Sequence, residues 1–158
     1  MHMPPVKLSN KGRYAVRALF DIAFYNEGRP TQVKDIAQRQ GIPPRFLEQI
    51  FQDLKRTGIV GSKRGPHGGY GLARAAAEIR LGDVVRALEG PITLGEGETG
   101  SRRGQISADA RRVLDAVFHD LSRTVEACFD AVTIADICAR AERFGLPRPG
   151  AERYVYVI

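Results

Sequence analysis

Residues 30–72 constrain the fold more than any other part of this 158-residue chain. Thr31-Gln-Val-Lys-Asp-Ile-Ala-Gln-Arg-Gln40 reads as one helix and Gly41-Ile42 as a tight turn; Pro44 opens another helix, which ends at Gly58. Proline suits a first helical position because its φ is already helical and its missing N–H would have no partner there. Gly58 suits the stop because it enters the left-handed region without a Cβ clash. Ile59-Val60-Gly61-Ser62-Lys63-Arg64 and Tyr70-Gly71-Leu72-Ala73-Arg74 then read as two short strands, joined by Gly65-Pro66-His67-Gly68-Gly69. Two helices across a tight turn, followed by a hairpin with a basic, glycine-built tip, predict a winged helix-turn-helix: a mainly α fold with a small β wing.

The remaining segments fit around that unit. Ser9 is a candidate N-cap for a helix over 10–26, with an apolar stripe of Val16, Leu19, Phe20 and Ala23. Val33, Ile36 and Ala37 on the next helix, and Leu47, Ile50, Phe51 and Leu54 on the third, complete a trihelical core. Leu81 to Leu88 predicts a short helix stopped by Gly90-Pro91. Residues 91–106 alternate glycine with polar residues, with no recurring apolar position, and read as a flexible loop. Ser107 caps a long helix to about residue 131, and 133–144 forms a final helix. The division expected is a DNA-binding domain over 7–90, the loop 91–106, dimerisation helices over 107–145 and a tail over 146–158. Within that tail, residues 153–158 are strand-prone.

On the long helix Leu114, Phe118, Leu121, Val125, Cys128 and Val132 are spaced 4, 3, 4, 3, 4. This 3.5-residue period is that of a seam between helices. An intramolecular bundle contact would use the same spacing, but the stripe is longer than so small a core can cover, which favours a homodimer.

Charge is unevenly divided. Residues 1–75 carry 13 Lys/Arg against 5 Asp/Glu, a formal +8, while residues 76–158 carry 11 against 13. A cationic half beside a near-neutral half suits a protein that meets a polyanion with one surface and protein with the other. If the third helix enters the major groove of double-stranded DNA, the side chains near its start and off its apolar stripe face the bases. These are Arg45, Phe46, Glu48 and Gln49, with Gln52 and Arg56 further along. Arginine suits guanine, glutamine adenine, and glutamate a cytosine amino group. Phe46 suits either a thymine methyl or the core beside Ile50, and Glu48 either a base or solvent. Arg64 begins the wing, where arginine can enter the minor groove. Gly65 and Gly68, with His67 and Tyr70, build the tip, while Lys11, Arg13 and Lys63 are candidates for phosphate contacts.

Leu8-Ser-Asn-Lys-Gly-Arg-Tyr-Ala-Val-Arg-Ala-Leu19, Gln40-Gly-Ile42, Phe46-Leu-Glu-Gln-Ile-Phe51, Arg64-Gly-Pro-His-Gly-Gly-Tyr70 and Thr133-Ile-Ala-Asp-Ile137 together resemble the Rrf2 family of bacterial winged-helix regulators, over roughly residues 7–140. The resemblance implies a homodimer with crossed long helices, a palindromic operator and transcriptional control. It assigns base reading to Glu48 and minor-groove entry to Arg64. His67 stands where the family wing commonly has glycine. Cluster-binding members carry three closely spaced cysteines before the long helix, and the iron–sulfur cluster regulator adds a histidine early in it. Here 91–106 has no cysteine, and aligning Asp120-Leu-Ser122 places Asp115 at the histidine position. The expectation is therefore a repressor without a cofactor, resembling cluster-free members controlled by a partner enzyme; a small metabolite is the other candidate effector.

The other function classes have less support. His2, His67 and His119 are scattered, and no phosphate-binding glycine loop opens a helix, so no enzyme motif is present. No apolar stretch approaches the ~20 residues of a membrane span. The two cysteines, ten residues apart without secretory context, read as reduced thiols of a cytoplasmic protein. Cys128, on the seam, is expected to be buried. A redox switch at Cys128 or Cys138, an iron–sulfur sensor using non-standard ligands, and a winged helix used only for protein assembly without DNA binding are the alternatives.

Overall fold

The computed structural model describes residues 8–94 and 107–148. The end of the expected loop, 95–106, and the strand-prone 153–158 lie outside the described residues. Helix α1 (Asn10–Asn26) starts at Ser9, whose hydroxyl accepts from the Gly12 amide at 3.1 Å. Its buried centre is Ala15, Leu19 and Ile22, with Val16 and Phe20 at the edge of the core. Helices α2 (Val33–Gln40) and α3 (Pro44–Arg56) flank the turn at Gly41, which is left-handed at φ 62°. Leu47, Ile50, Phe51 and Leu54 are all fully buried, as their i, i+3, i+4, i+7 spacing requires.

Strands β1 (Val60–Lys63) and β2 (Gly69–Leu72) pair antiparallel, in register from Val60 opposite Leu72 to Lys63 opposite Gly69. A further bridge, outside the hairpin, was not legible in the sequence. Thr31 exchanges both backbone hydrogen bonds with Tyr70, each 2.9 Å, so Thr31 and Gln32 are extended and α2 begins two residues later than its pattern suggests. This pairing explains Gly69: its φ is +135°, and a Cβ there would lie 2.1 Å from the Thr31 carbonyl oxygen.

A 3-10 turn (Ala76–Glu78) leads to α4 (Leu81–Glu89), α5 (Ala108–Asp130) and α6 (Ile134–Arg143). Packing divides these helices differently from the expected unit 107–145. Helix α6 packs against α1 and places Ile134 and Cys138 in the winged-helix core. Two backbone bonds deliver it there: Leu81 N–H to Val132 O at 2.8 Å and Ile134 N–H to Ile79 O at 2.9 Å. Thr133 and Asp136 cap its start reciprocally, at 3.1 and 2.9 Å. Thr133-Ile-Ala-Asp-Ile137 is thus a cap followed by a core anchor.

The expected seam on α5 also divides. Leu114, Phe118 and Leu121 are exposed, together with Val113 and Val117, which the heptad spacing had omitted. Val125 is half-buried beside Val85, Ile92 and Leu94, and Val132 is half-buried where the chain pairs with residues 79–81. Cys128 is exposed in the single chain, against the expectation of a buried thiol. For the N-terminal stretch the physical reason is length, since α4 meets this 23-residue helix only near its end, through Glu126 and Asp130. Cys128 lies beside that contact but on the opposite face of the helix from Glu126 and Asp130.

Candidate nucleic-acid interface

Helix α3 is amphipathic with little mixing. Arg45, Phe46, Glu48, Gln49 and Gln52 are exposed, while the residues between them on the other face form the core. Phe46 is 49% exposed and meets Tyr14 edge-on, with ring centroids 6.2 Å apart, so it does not join Ile50 in the core. Glu48 lies beside Tyr70 of β2. Tyr70 stacks on Phe51, one helical turn after Glu48, with centroids 4.5 Å apart. Burial, and then the charge and hydrogen bonding of Glu48, push the Tyr70 phenol above its ordinary value. Tyr70 is thus half-buried, between the wing and the exposed face of α3, rather than displayed at the tip.

At the tip Lys63, Arg64, Gly65, Pro66 and His67 are exposed. Gly68 is buried, and a Cβ on it would lie 2.2 Å from the Lys63 carbonyl oxygen, so only glycine closes this turn. Gln32, just before α2, donates to Pro66 O at 3.0 Å and ties the tip to the helix-turn-helix.

The cations are not equivalent. Among the described residues Arg13, Arg45, Lys63 and Arg64 are exposed and outside every ion pair. Lys11 instead binds Asp53 of α3 at 2.6 Å, and Arg56 binds the same carboxylate at 2.9 Å. The Lys11 hydrogen bond holds the Asp53 carboxyl below its usual range.

Sequence reasoning missed Asp21. It is fully buried on α1 and is gripped by Arg39 of α2 at 2.7, 3.0 and 3.2 Å and by Gln40 at 2.9 Å. A lone acid between Phe20 and Ile22, in the middle of an apolar helix, was the available signal. The pair fixes α2 against α1 and thereby sets the angle at which the helix-turn-helix presents α3.

A three-helix core, a helix with an exposed polar face after a tight turn, and a hairpin tip carrying free cations define a winged helix-turn-helix DNA-binding protein. A profile of the Rrf2 family, described as an iron-dependent transcriptional regulator, matches residues 8–140. The transcriptional regulator IscR of Serratia proteamaculans is 36% identical over 134 residues, 84% of this chain and 79% of that protein. Among solved structures, IscR of T. potens superposes with a TM-score of 0.69 at 36% identity, covering 95% of this chain and 98% of that one. CymR, the global cysteine regulator of B. subtilis, superposes at 0.67 with 33% identity, covering 85% and 98%. The chain belongs to the Rrf2 family of DNA-binding transcriptional regulators. It is not an enzyme.

The donors present in this chain bear on the iron dependence in the family's description. Thiolates hold such clusters, ordinarily four of them. This chain has two cysteines. Cys138 is in the core, where burial pushes its thiol up and disfavours the ligating thiolate. Cys128 is exposed on α5, and among the described residues no three His, Cys, Asp or Glu side chains converge as a metal site. These residues do not fit a thiolate-held cluster.

Proposed function

We propose that this protein is a cytoplasmic homodimer that represses transcription from a palindromic operator, holds no cluster, and answers to a small metabolite or a protein partner. The observation that carries the reading is the division of α3, with Arg45, Phe46, Glu48 and Gln49 exposed over a fully buried Leu47, Ile50 and Phe51. In this reading those four side chains face the bases of the major groove, Arg64 enters the adjacent minor groove, and Gly65, His67 and Gly68 bring the tip backbone to the sugar-phosphate chain. Arg13 and Lys63 meet phosphates, and Lys11 does so through a charge it shares with Asp53. The exposed stripe Val113, Leu114, Val117, Phe118 and Leu121 meets its counterpart on a second chain, with Val125, Cys128 and Val132 at its end. Five large apolar side chains in a row on one exposed helix are the mark of such an interface.

Selection of bound duplexes from random DNA, followed by titration at several salt concentrations, tests this reading. The enriched sequence should be palindromic, with half-sites about one helical turn, ~34 Å, or a multiple apart. Affinity should fall steeply with salt, because each neutralised phosphate releases counterions. Equal affinity for selected and random duplexes would overturn it.

A further inference from the structure

We propose that Arg86 is a positioning residue for operator recognition: it fixes the direction in which α5 leaves the winged-helix domain, and so the distance between the two DNA-reading heads. The inference rests on the dimer reading above.

Three carboxylates from two helices converge on the Arg86 guanidinium. Nη1 donates to Glu126 at 2.7 Å, and Nη2 donates to Asp130 at 2.7 Å and to Asp83 at 3.1 Å. Glu126 and Asp130 are one turn apart on α5, so the planar fork grips that helix at two heights and resists both rolling and sliding. All four side chains are partly withdrawn from water, with Arg86 30% exposed, which separates them from an ordinary surface pair. The helices are close enough that a Cβ on Gly82 would lie 1.8 Å from Asp130 Oδ1.

The C-terminal end of α5 is held independently by the backbone bonds that join residues 79–81 to 132–134. That bridge is a pivot, and Arg86 is the stop that sets the angle about it. The exposed apolar stripe lies far along the lever. From Asp130 to Leu114 the helix runs ~24 Å, so a tilt of ~10° displaces the seam by ~4 Å, more than one ~3.4 Å base-pair step. Without Arg86, three like charges face one another across the α4–α5 contact, and the angle is no longer specified.

The test uses the full chain and the palindrome it enriches from random DNA, with half-site spacing varied one base pair at a time, alongside an isolated half-site. The wild type should prefer one spacing, losing about tenfold one base pair away, comparable to one lost base contact. Arg86→Gln and, with less risk to folding, Asp130→Asn should flatten that profile while binding the isolated half-site as the wild type does. Arg86→Lys, which keeps the charge without the fork, should fall between. Wild-type spacing preference retained in both Arg86→Gln and Asp130→Asn, with only a uniform loss of affinity, would overturn the inference and leave the dimer reading intact. A wild type indifferent to spacing would overturn both.

Discussion

The rings of Phe51 and Tyr70 lie face to face, with centroids 4.5 Å apart and planes 9° from parallel. One belongs to α3 and the other to β2, so the stack fastens the wing to the helix proposed to read bases. Tyr70→Phe keeps the stack and removes only the hydroxyl whose pKa the neighbouring Glu48 helps to raise. Its stability should match the wild type, while base preference should relax at the one operator position that Glu48→Ala also relaxes. Tyr70→Ala should cost about 2 kcal/mol by removing the ring. A randomised-operator library read at fixed salt, beside urea denaturation, checks both. Unchanged preference in Tyr70→Phe would mean that the hydroxyl does not orient the acid.

The Lys11–Asp53 pair predicts a gain from removing an acid. Asp53→Asn should tighten binding to all duplexes alike, because a carboxylate facing phosphate is lost and Lys11 is released. Lys11→Ala should weaken them alike. Because Lys11 holds the Asp53 carboxyl below its ordinary value, the stability it contributes is fully present above the usual carboxylate range and is lost only as pH falls through the lowered folded-state value. The pair should therefore be intact throughout neutral pH, with its loss confined to strongly acid conditions. Acid titration of wild type and Asp53→Asn, followed by circular dichroism, measures the difference.

Arg39→Ala should destabilise the fold by about 3 kcal/mol, since it leaves the fully buried Asp21 carboxylate with Gln40 as its remaining side-chain partner. Chemical denaturation gives the value. A loss no larger than that of an ordinary surface substitution would show that the Arg39–Asp21 pair does not hold α2 against α1.

Phe118→Asp should produce a monomer at micromolar concentration while leaving the winged-helix core intact, because Phe118 is 44% exposed and touches no part of that core. Sedimentation velocity reads the association state. Circular dichroism reads the fold. A dimer that persists in Phe118→Asp would move the interface away from the N-terminal half of α5.

Protein purified without oxygen should be colourless, with iron and acid-labile sulfide far below one per chain. The Cys138 thiol, buried and with its pKa raised by burial, should stay unreactive towards thiol reagents until the protein unfolds. Visible absorption together with stoichiometric iron would show that other ligands are recruited.

What the sequence determined by itself is local. Spacing placed the apolar faces of α1, α2 and α3, serines capped α1 and α5, and glycines marked the turns, because each of these depends on residues within about one helical turn of each other. The same short-range logic identified the exposed face of α3 and the wing tip. What only the tertiary structure decided are the relationships between distant segments. Thr31 resembles a helix start but forms a single bridge to the wing, because Tyr70, far along the chain, offers it two backbone hydrogen bonds. Lys11 resembles a free cation but meets Asp53, Asp21 resembles a solvated acid but is buried under Arg39, and Arg86 resembles a helix-surface charge but joins α4 to α5. Helix α6 resembled a partner of α5 and closes the winged-helix core instead. A charged or β-branched residue has the same local pattern wherever it points, and only the arrival of its partner decides whether it is paired, buried or free.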